Sequence, residues 1–220
     1  MTCDPSDDSG GNRSRLSLQA PVPSADYAAF PTYQHQNGSR WYRAHHEAHS
    51  PWWFSSTPGR YNLTRPRGTL NTGDTVQTAL REMLGPVLLG TPDIPETAVD
   101  GVMISCLQVP GLTVADFLHP AASSFGVLAG DAAGPMEESY ALTRAWARVL
   151  DQAGHHGIRA RSRCGAGEAP QCLYVFGTAG VHALGTVLTQ YCDSAHAVAE
   201  AMPGYRLVPR PHSETLIIDP

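Results

Sequence analysis

A chain of 220 residues with 42% hydrophobic content is long enough to bury one large core. Its formal net charge of −5 at pH 7 and pI near 6.0 argue against a nucleic-acid-binding surface as its main purpose, because such domains are usually strongly basic, and leave room only for a local basic patch. All 15 cationic side chains are arginines; with no lysine in the chain, a Schiff-base lysine and a phosphate-loop lysine are both excluded.

Residues 1–24 are rich in Ser, Gly, Asp and Pro, with few large apolar groups to offset the entropy of ordering. A disordered or loosely attached arm is expected there, with residues 25–220 forming a single domain. The run SRWYRAH (39–45) has the aromatic content of a strand. It leads into HHEAH, where His45, His46 and His49 have part of a zinc-binding spacing. The run is one residue short of the zinc-protease pattern, so these read as solvated histidines at the mouth of a pocket.

Next comes PWWFSSTPGRYNLTRPRGT (51–69), in which Trp52, Trp53 and Phe54 are flanked by turn-formers and arginines rather than by a periodic apolar run. Arg40, Arg43, Arg60, Arg65 and Arg67 crowd around three of the four tryptophans. Guanidinium groups grip phosphates in a bidentate manner and aromatic rings stack on flat heterocycles, so the pairing suits a nucleotide. The plainer reading is a set of surface arginines beside a packed aromatic cluster.

A short helix is predicted over 74–85, with Val76, Ala79, Leu80, Met83 and Leu84 on one face, Asp74 as its N-cap and Gly85 as its stop. Glu82 lies in its last turn. Residues 101–109 read as a strand and 113–120 as a short helix closed by Pro120. A longer helix is predicted over 136–154, with an apolar face that includes Tyr140, Trp146 and Leu150. Residues 171–177 read as a buried strand, 179–191 and 193–202 as helices, and 205–210 and 215–219 as late strands. Strands and helices mix without strict alternation, which favours α+β over a doubly wound α/β sheet.

Other chemistry is thinly supported. The five cysteines are odd in number and widely spaced, and read as reduced thiols of a cytoplasmic protein. Cys164 and Cys172, with His155 and His156, fit no zinc template. No GxGxxG loop follows a strand, and no run approaches the roughly 18 to 20 apolar residues of a membrane helix.

Taken in order, WYRAH, PWWFSSTPGRYNLTRPRGT, TALREMLG, GHHGIRARSR and CLYVFG resemble the RES domain, over roughly residues 40–177. The resemblance is to the subtype found in actinobacteria. It implies an ADP-ribosyltransferase-like fold, with a split, mostly antiparallel β core surrounded by helices and an NAD-binding cleft. It also implies a toxin paired with an antitoxin that carries a helix-turn-helix domain. NAD would be consumed by phosphorolysis to nicotinamide and ADP-ribose 1-phosphate, with inorganic phosphate as co-substrate, or by transfer of ADP-ribose to a protein. No metal, direct nucleic-acid contact or membrane is expected, and a homo-oligomer is.

Carried over residue by residue, the two family arginines are Arg43 and Arg60, the glutamate is Glu82 and the serine is Ser162. Glu82 would serve the ribose hydroxyls and the developing cation, Arg43 and Arg60 the phosphates, and Ser162 would be a positioning donor. Trp53, Phe54 and Tyr61 would be aromatic walls. Two positions depart from the family. Ala160 and Arg161 stand where a Tyr-Pro precedes the serine, and Asn71 stands where a cleft tyrosine is expected. Asn71 leaves three outcomes open: a retuned site, a changed acceptor, or a nucleotide-binding protein without turnover. A biosynthetic enzyme using NAD or a related nucleotide is a further reading.

Overall fold

The structure, a computed structural model, describes residues 18–88, 90–128, 140–164 and 169–210. Its strands are β1 (Thr32–His35), β2 (Ser39–His46), β3 (Trp53–Phe54), β4 (Arg67–Gly73), β5 (Asp93–Pro95), β6 (Val102–Val109), β7 (Leu112–Asp116), β8 (Gly157–Arg161), β9 (Gln171–Thr178), β10 (Gly180–Val181), β11 (Thr186–Val187), β12 (Asp193–Ser194) and β13 (Arg206–Val208). Among the described residues three α-helices accompany them: α1 (Val76–Leu84), α2 (Ala141–Gln152) and α3 (Ala195–Glu200).

The main sheet runs β1-β7-β8-β9-β4-β2-β6-β11, with β12 also pairing on β6. Its pairings are antiparallel except β7 with β8. The fold is therefore α+β on a mainly antiparallel sheet, as the resemblance implies. At its centre the sheet opens. β2 stays in register with β6 along its whole length and β4 with β9 along its whole length, but β2 and β4 meet only at Tyr42 and Gly73. The gap between them is where a ligand can reach the middle of the domain.

Among the described residues three apolar clusters hold these elements. Trp146 of α2 packs with Tyr27, Phe30, Tyr61, Phe117 and Tyr174. Leu80 and Leu84 of α1 pack with Ile94, Ile104, Val198 and Met202. Trp41, Trp52, Phe54, Leu70, Leu107 and Val175 fill the third.

The expected strands at 39–45, 101–109 and 171–177 are present, and several other expectations need correction. The segment 113–120 is not a helix. Val114 and Ala115 are fully buried in β7 between β1 and β8, and Pro120 opens a 3-10 turn (Pro120–Phe125) capped by His119 instead of closing a helix. The segment 179–191 holds β10, β11 and a 3-10 turn, because pairing with β3 and β6 wins over helical periodicity. A Cβ at Gly185 would lie 2.1 Å from the Gln108 carbonyl oxygen, so this backbone approach requires glycine.

Helix α1 is capped by Thr75, whose hydroxyl accepts from the Thr78 amide; the Asp74 carboxylate instead accepts from the Gln171 amide. The loose arm expected over 1–24 does not extend to residue 18, because Leu18 is only 6% exposed in the Trp146 cluster and the Gln19 carbonyl accepts from Trp146 Nε1. Residues 1–17, the start of the helix expected from 136 and the strand expected at 215–219 lie outside the described residues.

Candidate active site

The opening between β2 and β4 is a cleft of about 260 Å³. Tyr42, Arg43 and Ala44 of β2 line one side, and Asn71 and Thr72 of β4 with Cys172 and Tyr174 of β9 line the other. Helix α1 supplies Ala79, Glu82 and Met83, and Gly59, Arg60, Tyr140 and Arg163 complete the wall. Arg43, Arg60, Glu82 and Asn71, far apart in the chain, thus face one space.

Glu82 owes its place to helical spacing. Ala79, Leu80 and Leu84 bury one face of α1, and Glu82 projects beside it toward the turn after β8. There its Oε1 accepts from Ser162 Oγ at 2.5 Å, from the Arg163 amide at 2.9 Å and from the Cys164 amide at 3.4 Å. Charge-assisted bonds of this kind fix a carboxylate in one orientation. Ser162 is 4% exposed, and its hydroxyl acts on Glu82.

Arg60 and Tyr61 sit on a tight turn, with Tyr61 in the left-handed region at φ 58°. Arg60 is 5% exposed; its Nη1 donates to the Arg161 carbonyl and to the Tyr174 hydroxyl, both at 3.1 Å. Burial works against the Arg60 charge, but neighbouring groups, the Glu82 carboxylate among them, outweigh it and raise the pKa above the usual arginine value. Arg43 is different. Its Nε and Nη1 are shielded from solvent and have no partner among the described residues, and burial pushes its pKa down to about 10. A buried guanidinium without an acceptor calls for an anion. Burial also raises the pKa values of Cys172 and Tyr174, which keeps both neutral.

Asn71 is exposed to the cleft, and its Nδ2 donates to Asn62 Oδ1 at 3.2 Å. Asn62 in turn donates to the Thr57 carbonyl, and Gly59 leaves it room, since a Cβ there would meet Asn62 Nδ2 at 2.7 Å.

The aromatic walls are not the ones expected. Phe54 is 1% exposed inside the third cluster, and Trp53 is 41% exposed beside His49, paired across β3 and β10 with Val181; neither lines the cleft. Tyr61 is fully buried behind Arg60, edge-on to Phe117 and Tyr174. Alternation along β3 sends Phe54 inward and Trp53 outward, which a run of three aromatics in sequence conceals. The cleft takes its rings from Tyr42, Tyr140 and Tyr174 instead. Of these, Tyr174 stands in the CLYVFG motif, and Arg163 directly follows Ser162; both were visible in sequence without a role. His45 belongs to β2, where its Nε2 shares a hydrogen bond with Ser105 Oγ at 2.8 Å.

Comparison with known proteins gives a consistent result. The RES domain family model matches residues 40–191. No curated protein matches the chain. Among solved structures, it is similar to a chain in the crystal structure of the M. tuberculosis MbcT–MbcA toxin–antitoxin complex, with TM-score 0.50 and 15% identity over 69% of this chain and 78% of that one. Because the family match spans most of the sequence and includes the cleft residues from Tyr42 to Tyr174, the chain belongs to the RES domain family.

Proposed function

We propose that the chain is an NAD-consuming enzyme that breaks the bond between nicotinamide and ribose, as the toxin of a toxin–antitoxin pair. One observation carries this reading: a carboxylate anchored through a single oxygen faces the same cleft as a buried guanidinium that has two unpartnered nitrogens. Such a pair suits a substrate with a cation-forming sugar beside phosphates.

The preferred reaction is phosphorolysis. A phosphate oxygen bonds to ribose C1′ as the C1′–nitrogen bond breaks. The electron pair of that bond passes to the pyridinium nitrogen, and nicotinamide leaves neutral without needing a proton. Glu82, held through Oε1, offers Oε2 to the ribose hydroxyls and the oxocarbenium-like centre. Arg43 takes substrate phosphate, and Ser162 keeps Glu82 in place. The family membership supports NAD as substrate, and the fold shared with a chain of a toxin–antitoxin complex supports an antitoxin partner. A helix-turn-helix antitoxin, a homo-oligomer and a cytoplasmic setting complete the reading. Among the described residues no helix is long and apolar enough to cross a membrane.

Asn71 favours a second reading, in which the fold binds a nucleotide or uses another acceptor, protein or small molecule, because an amide replaces the ring expected there. The test is to incubate the purified protein with NAD, with and without phosphate, and follow nicotinamide and ADP-ribosyl products by mass. Phosphate-dependent nicotinamide release is expected. Release without phosphate points to hydrolysis or ADP-ribosyl transfer, and binding without release overturns the enzyme.

A further inference from the structure

Among the described residues three arginines line the cleft, and they are not equivalent. Arg60 is tied into the fold through the Arg161 carbonyl and the Tyr174 hydroxyl. Arg43 presents two buried nitrogens without partners. Arg163 follows it in kind: its Nε is also buried without a hydrogen-bond partner, its guanidinium lies 5.4 Å from the centre of the Tyr140 ring, and the Cys164 thiol is beside it. A cation facing a ring is partly compensated, but an unpaired guanidinium N–H still lacks an acceptor.

Charge adds a constraint. Among the described residues, the charged side chains lining the cleft are Arg43, Arg60, Arg163 and Glu82, so two positive charges remain over there. The high pKa values of Cys172 and Tyr174 prevent either from neutralising them. The diphosphate bridge of a dinucleotide carries two negative charges and presents acceptor oxygens on both phosphorus atoms, so two separate guanidiniums can hold it.

We infer that Arg163 and Arg43 together form the diphosphate clamp of this cleft, and that Arg60 is a positioning residue acting through Tyr174. The assignment deepens the NAD reading and rests on it for the identity of the substrate. The backbone of Arg163 has a separate task. Its amide donates to Glu82 at 2.9 Å, and that bond survives replacement of the side chain. One residue thus grips the phosphates with its side chain and orients the carboxylate with its main chain. Loss of the side chain falls on substrate affinity, whereas loss of Glu82 falls on the chemical step.

The experiment is calorimetric titration of the full chain and of Arg163→Gln with inorganic pyrophosphate, alongside steady-state turnover of NAD. Pyrophosphate affinity is expected to fall about tenfold or more in Arg163→Gln, as for loss of a charge-assisted hydrogen bond, with the defect in turnover appearing in KM rather than in kcat. Arg163→Lys, which keeps the charge but not the fork, recovers part of the affinity and controls for folding. Equal affinity of wild type and Arg163→Gln overturns the clamp, and so does absence of pyrophosphate binding by the wild type. If Arg163→Gln weakens pyrophosphate while the wild type leaves NAD intact, the clamp stands and the NAD reading falls.

Discussion

Ser162 donates its hydroxyl proton to Glu82 Oε1 at 2.5 Å across 80 positions of sequence, joining the end of β8 to the last turn of α1. Because the Arg163 and Cys164 amides reach the same oxygen, Ser162→Ala leaves Glu82 with two of its three donors. Turnover of NAD is expected to drop by about tenfold, the size of one hydrogen bond, and steady-state kinetics check it.

Glu82→Gln keeps an acceptor oxygen for Ser162 but removes the negative charge from the ribose. The expected loss in kcat is on the order of 100 to 1,000-fold, with the thermal midpoint little changed. Nicotinamide release at saturating NAD measures it. Wild-type turnover in the folded variant would remove Glu82 from the mechanism.

Arg43 is costly to the ligand-free fold. Arg43→Met replaces a buried, unpartnered cation with an apolar chain, so the variant is expected to melt about 2 to 4 °C higher while losing NAD binding. Burial pushes the folded-state pKa of Arg43 down to about 10, below the usual arginine value. The burden is therefore fully present below pH 10 and eases as pH rises through 10 toward the usual arginine range, where the unfolded chain binds more protons. Melting wild type and variant at pH 7 and at about pH 10.5 should show the gap narrowing at the higher pH.

Tyr174→Phe deletes an acceptor of Arg60 Nη1 inside the core. A hydrogen bond to a charged group is worth about 1.5 to 3 kcal/mol, so the thermal midpoint should fall by about 5 °C. Scanning calorimetry reads this directly. A midpoint equal to that of the wild type would mean that Tyr174 does not hold Arg60.

The adjacent tryptophans should separate cleanly. Trp52 is 4% exposed in the third cluster, and Trp52→Ala is expected to cost about 3 to 5 kcal/mol. Trp53 is 41% exposed and away from the cleft, so Trp53→Ala should change stability by no more than about 1 kcal/mol and leave NAD turnover intact. Urea titration and a nicotinamide assay test both halves. Lost turnover in Trp53→Ala would return that ring to the site.

What was legible in the sequence depended on local signals. The aromatic run of β2, the apolar run of β9 and the periodic face of α1 each declare their own state, and the ordered motifs put Arg43, Arg60, Glu82 and Ser162 in one cleft family. The misread segments, 113–120 and 179–191, have compositions that tolerate a helix, and their pairing with distant strands decides otherwise. Tyr174 and Arg60 are 114 residues apart, and nothing near either residue announces their bond. Arg163 looks like a surface arginine until Tyr140, distant in sequence, is folded under it.

The cleft also lies along the seam between two cores. Tyr174 and Cys172 belong to the cluster around Trp146, while Ala79 belongs to the cluster around Leu80, against which Tyr42 and Ala44 pack. Local opening in proteins follows such cooperative units, and a bond across a seam couples them. The Ser162–Glu82 contact already provides one such rivet. A dinucleotide held by Arg43 on one bank and Arg163 on the other would be a second, so amide exchange should slow in α1 and β9 together on loading. The substrate would then serve, for as long as it is bound, as part of the scaffold that holds the two cores in step.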